Sequence, residues 1–189
     1  MTITSNTVAN QALAMIGDNV PLVTGFSPTF DSSAAGIALQ TLYPSCVRTV
    51  LKQYGWDFAR NVFTLALTGN VAPFGYPYEY AYPPAAIEIM ELMPAVLTDI
   101  NNPLPTTWTV GNALVGGSQV KVIWSSLQNA LAVINNVPAE STWDAGVQEA
   151  VVRLLASELA MALFGRPDTA QANLESGGAF ETIAERRNA

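Results

Sequence analysis

The stretch 74–84, FGYPYEYAYPP, carries four tyrosines on alternate positions, Tyr76, Tyr78, Tyr80 and Tyr82. Residues two apart in an extended chain share a face, so the row lines one side of a strand. Pro77 interrupts the row and Pro83-Pro84 ends it, which confines it to a sheet edge or a free arm. Tyrosine offers a large ring and a hydroxyl together, a combination suited to interfaces. Phe74 and the four tyrosines are therefore candidate interface residues. Packing on the chain's own core is the first alternative. A stacking platform for a small ligand is the second, although no basic group accompanies the row.

Upstream, residues 4–60 read as helical. Ser5 or Asn6 is placed to cap a helix bearing Val8, Ala12, Met15 and Ile16, with Gly17 at its end. A second helical run begins at Asp31 or Ser32 and carries Ala35, Leu39, Leu42, Val47, Val50 and Leu51. Pro44 lies inside it and is expected to kink or split it. Trp56 and Phe58 follow as candidate structural anchors.

Downstream, residues 61–137 read as strands and turns. Apolar residues alternate around Ile87 and Ile89, Trp108 and Val110, Val120 and Val122, and Leu131 and Val133. Gly111-Asn112 and Gly116-Gly117 are read as turns, and a small meander of four or five strands is expected. Glu88 and Glu91 form the nearest acidic pair. Three positions apart on a regular strand, they are expected to face opposite ways. GNALVGGS (111–118) lacks the lysine of a phosphate loop and is read as hairpin turns.

Beyond this zone, Ser141 and Asp144 form a candidate capping box ahead of an apolar helix, and Trp143 is a third candidate anchor. Gln148, Glu149, Arg153 and Ser157 make its one polar stripe, so the helix is expected to be buried on most sides. Gly165 and Pro167 end it. The fold expected is α+β, mainly α. A helical bundle formed from both chain ends (1–60 and 139–165) carries a small inserted antiparallel β element (61–138), and a polar tail (166–189) follows.

Composition narrows the function. Of 189 residues, 50% are hydrophobic and only 12% charged, about half the usual charged share. Low charge with many exposed aromatics suits a surface that meets other proteins; a well-packed globule with a Ser/Thr/Asn-rich exterior is the alternative that composition equally allows. The net charge is −7 and the eight Lys and Arg residues are scattered, which argues against sequence-specific nucleic-acid binding. The chain has no histidine and one cysteine, Cys46. That removes Ser-His-Asp and Cys-His catalysis and the cysteine-rich zinc sites. No enzyme activity, cofactor or metal is expected. Residues 1–10 have no charged and apolar regions of a signal peptide, and no run is long enough to span a membrane.

The order of several segments carries a resemblance. These are ALAMIG (12–17), LYPSCVRTVLKQYGWDFAR (42–60), LAL (65–67), FGYPYEYAYPP, IEIMEL (87–92), WTVGNAL (108–114) and WDAGVQEAVVRLLASELAMAL (143–163). Together they resemble the head–tail adaptor proteins of short-tailed bacteriophages, also called head-completion or tail tubular A-like connector proteins. The resemblance implies a non-enzymatic virion protein at the head–tail junction, assembled in the host cytoplasm. It implies a homo-oligomeric ring of about twelve copies beneath the portal protein, bearing the tail tube or nozzle. Double-stranded DNA would pass through the ring during packaging and ejection without sequence-specific binding. By position, the tail would reach the portal, with Arg166, Arg186 and Arg187 as candidate contacts. The rival expectation is a small-molecule-binding or protein-interaction module using the aromatic segment 74–84.

Overall fold

The computed structural model describes residues 3–17, 22–54, 56–73, 75–95, 106–165, 167–169, 171–173 and 175. The chain divides into two compact units, one from residues 1–58 and 137–189, the other from residues 59–136.

The first unit contains α1 (Ser5–Ile16), a hairpin of β1 (Gly25–Phe26) and β2 (Thr29–Phe30), α2 (Ala34–Tyr54) and α3 (Ala145–Phe164). Helix α3 packs against both α1 and α2. Val147, Val151, Leu155 and Leu159 are fully buried, as are Val8 and Leu13 of α1 and Leu39 and Leu51 of α2. Each such burial contributes about 1.5–3 kcal/mol. Thr4 caps α1, its Oγ1 accepting from Thr7 N–H at 3.2 Å. Asn6 and Asn10 instead face the next loop. Asn10 Oδ1 accepts from Val23 N–H at 2.8 Å, and both amides donate to Val23 O.

Asp31 gathers Thr24 N–H at 2.6 Å and Ser33 N–H at 3.0 Å, and Ser33 Oγ accepts from Gly36 N–H at the start of α2. The Ser33 hydroxyl contact, with the other donors, lowers the Asp31 carboxyl to about 2. Asp144 caps α3 through Val147 N–H at 2.9 Å, while Ser141 lies in a short 3₁₀ turn before it. Gly165 ends α3 in the left-handed conformation. Glu149 and Arg153 pair at 2.6 Å along the polar stripe. Beyond α3, residues 167–169 and 171–173 are helical. The split that Pro44 could have caused does not occur: α2 runs as one helix through it. A helical proline costs about 3 kcal/mol, but Tyr43, Cys46 and Val47 beside it are buried and hold the turn.

The second unit is all β. Sheet order is β3-β8-β5 in one sheet and β4-β7-β6 in the other. The strands are β3 (Arg60–Thr64), β4 (Tyr78–Ala81), β5 (Ala86–Pro94), β6 (Trp108–Val115), β7 (Ser118–Ser125) and β8 (Ala130–Asn136), all paired antiparallel. The chain running out of β3 joins the sheets. Leu65 N–H donates to Ala130 O of β8 at 3.1 Å. One residue on, Ala66 O accepts from Ala81 N–H of β4 at 2.9 Å, and Thr68 N–H donates to Glu79 O at 3.1 Å. Tyr80 and Ile123 from one sheet share a core with Leu92, Ala132 and Ile134 from the other.

These sheets correct the fold expected from sequence. Among the described residues the fold is mixed α/β, 42% helix and 30% strand, with eight strands in three sheets, and not a mainly helical bundle with a small β insert. Part of the reason lies in Gly111-Asn112, which does not turn. Both residues lie within β6, opposite Val122 and Lys121. A Cβ on Gly111 would stand 2.3 Å from Cζ3 of Trp124. The glycine is there so that the indole can lie over the strand. The turn is at Gly116-Gly117, with φ of +58° and +84° between paired Val115 and Ser118, the pattern of a type I′ hairpin.

The Pro-rich segment 103–105 lies outside the described residues, and Pro94 closes β5. Glu88 and Glu91 are also corrected. Register shifts in β5 set them opposite Asn135 and Val133, which are two apart on β8, so both glutamates are on one face.

Gly111→Ala is expected to destabilise the protein by roughly 1–3 kcal/mol, because a rigid ring must move to admit the methyl group. Urea unfolding monitored by Trp fluorescence measures this. A change below about 0.5 kcal/mol would mean that the indole position is not constrained.

Candidate interaction surface

The tyrosine row lies on and beside β4, and alternation divides the strand between two environments. Tyr78 and Tyr80 share the face that turns to the core. Tyr80 is 1% exposed, and its Oη donates to Leu127 O at 2.7 Å. Tyr78 and Tyr82 are half-buried and pack against the same core, with the Tyr78 and Tyr80 rings 6.4 Å apart. Tyr82 lies under the Lys121 ammonium, 3.9 Å from the ring centroid, a cation–π contact. Tyr76 is half-buried and its N–H donates to Pro73 O at 3.1 Å. Tyr80 is thus a core residue. Tyr76, Tyr78 and Tyr82 keep part of their surface in solvent. Phe74 lies outside the described residues.

Between the tyrosines stands a residue that periodicity did not single out. Glu79 points to the other face and is 3% exposed. Its Oε1 accepts from Thr68 Oγ1 at 2.7 Å and Asn70 Nδ2 at 2.9 Å, and its Oε2 from Trp124 Nε1 at 2.8 Å. Asn70 Nδ2 also donates to Leu114 O at 3.1 Å. One carboxylate therefore ties segment 68–70 to β7, and through Asn70 to the far end of β6. Burial by itself would raise the Glu79 pKa. The donors Thr68, Trp124 and Asn70 outweigh it and hold the carboxyl below its ordinary value. Glu79 and Trp124 are directly opposite in the β4–β7 register. Sequence gives no register between strands 45 residues apart, so this pair was not visible in it.

The three candidate anchors belong to the helical unit's chain segments. Trp56 is buried and donates from Nε1 to Val50 O at 3.2 Å, near the end of α2. Phe58 is half-buried with its ring centroid 6.1 Å from that of Trp56. Trp143 is buried and donates to Pro138 O at 3.3 Å. Arg166, Arg186 and Arg187 lie outside the described residues. A groove of about 190 Å³ runs along the α2–α3 seam, lined by Leu42, Ser45, Cys46, Thr49, Leu154 and Glu158. Burial, and then the Glu158 charge, push the Cys46 thiol up to about 12. The thiol therefore stays protonated at neutral pH, which is unlike an activated nucleophile.

Large apolar side chains are exposed on both units. Phe26, Ile37, Met161 and Phe164 are exposed in the helical one, and Val62, Leu67, Val71 and Leu114 in the β one. Among the described residues no helix is long and apolar enough to cross a membrane. No family model matches the chain, and no curated protein matches it.

Glu79→Gln is expected to cost about 1–3 kcal/mol at neutral pH, since an amide cannot accept from all three donors as the carboxylate does. The folded-state pKa is depressed, so the Glu79 contribution is complete above the unfolded glutamate pKa of about 4.3. It is lost as pH falls through the folded value. Unfolding midpoints of the two proteins should converge as the solution is acidified. A gap that stays constant down to the acid limit would show that the carboxylate charge is not what the network uses.

Proposed function

We propose that the chain is a head–tail adaptor of a short-tailed bacteriophage. It is a structural virion subunit that forms a ring under the portal, extends the DNA channel and presents a platform for the tail. The observation that carries this reading is the order of the motifs from ALAMIG through the tyrosine segment to the final apolar helix. The helical unit built from both ends of the chain, with a β unit between them, supports it.

A ring subunit meets its neighbours through two different faces. Exposed apolar side chains on both units, such as Phe26, Ile37, Val71 and Leu114, supply surface for such contacts. The half-buried Tyr76, Tyr78 and Tyr82 are the aromatic part of that surface on the β unit. The net charge of −7 suits a channel wall, because acidic groups repel phosphates and let DNA slide. A ligand-binding module draws less support, since Tyr80 is buried in the β unit's own core and Tyr78 and Tyr82 pack against it.

The test is the native mass of the full chain mixed with the portal ring encoded in the same genome. The expected result is a discrete complex carrying a full ring of copies. Absence of binding, with both partners folded and the portal intact, would overturn the reading.

A further inference from the structure

We propose that Arg48 and Lys52 on α2 of one copy of this chain pair with Glu88 and Glu91 on β5 of the next, head to tail. Most charged side chains among the described residues are engaged within their own chain. Asp31 and Asp144 accept from backbone N–H groups at the starts of helices or turns. Glu79 has its donors, Glu149 pairs with Arg153, and Lys121 lies over Tyr82. Two doublets of opposite sign are different. Arg48 and Lys52 are both exposed, one turn apart on α2. Glu88 and Glu91 are on one face of β5, the first half-buried and the second exposed. Among the described residues none of the four has a hydrogen bond or an ion pair.

Each doublet is unfavourable by itself, because like charges this close repel. Lys52 gains from the C-terminal end of the helix dipole, being in the last turn of α2. Arg48, one turn earlier, does not. The two doublets match in spacing. Side chains four apart on a helix stand about 5–6 Å from each other. Register shifts set Glu88 and Glu91 opposite Asn135 and Val133, two strand positions or about 6.5–7 Å. The flexible basic side chains can span the difference. Each doublet also has an exposed apolar neighbour on its own face. Ile37 lies three turns before Arg48, and Val62 lies across Val133 from Glu91. Arg60, across Asn135 from Glu88, has an interaction of its own, and the contact does not use it.

A second copy is selected over another partner because one chain carries both halves of the contact, α2 in the helical unit and β5 in the β unit. Unlike faces joined head to tail are what a closed ring requires. The inference therefore rests on the adaptor reading and names the subunit contact within it.

Sedimentation of the full chain at low salt and up to roughly 1 mM tests it, a range in which a weak contact is populated. Concentration-dependent association is expected, weakening as salt is added. Reversing either doublet alone, R48E/K52E or E88K/E91K, should weaken association about tenfold or more, with far-UV circular dichroism unchanged. An equimolar mixture of the two reversed chains should regain it. The acidic α2 of one then meets the basic β5 of the other, and the unreversed doublets pair likewise. If a reversed chain loses its spectrum, R48Q/K52Q decides by the same loss of association. A wild-type chain that stays monomeric, association untouched by both reversals, or a mixture that stays dissociated overturns the inference. No readout here uses the portal, so the adaptor reading stands or falls separately on the native-mass measurement.

Discussion

The β unit depends on one continuous stretch of backbone that serves two sheets. From Arg60 to Leu65 the chain bonds inward to β8, and from Ala66 to Thr68 it bonds outward to β4. No other described segment pairs with strands of both three-stranded sheets. Once this stretch is laid down, Leu65 and Tyr80 fall into one core with residues of β5, β7 and β8. It also brings Thr68 and Asn70 up to Glu79. The Glu79 carboxylate is held by neutral donors, so its burial depends on all of them being in place at once. A buried carboxylate missing even one such partner would be costly, and that makes the network a selective check on strand register.

Much of the helical unit was legible in the sequence because its signals are local. The apolar run of α3, the Asp144 cap and the Gly165 terminus depend on neighbours within a few residues. The unbroken passage of α2 through Pro44 was not legible, because the compensation comes from burial of Tyr43, Cys46 and Val47, a tertiary fact. In the β unit the limiting information was cross-strand. Gly111 was read as a turn because glycine beside asparagine is a good local turn signal. Its real reason is the Trp124 indole on the neighbouring strand. The alternation of the tyrosines was legible, but which face they lined was not. An alternating pattern is satisfied equally by a core and by a partner, and only the register of β4 against β7 sends Tyr80 inward.

The same register assigns Glu79 and the tyrosines opposite duties. One face of β4 builds the core, and the other holds the 68–70 segment across to β6. Glu79, between two tyrosines, carries the most heavily hydrogen-bonded carboxylate among the described residues of the unit. The signal for it was there in retrospect. A lone acid within an aromatic strand, in a chain with few charges, is unusual enough to need a partner. What was missing was any indication that the partner would be the indole of Trp124.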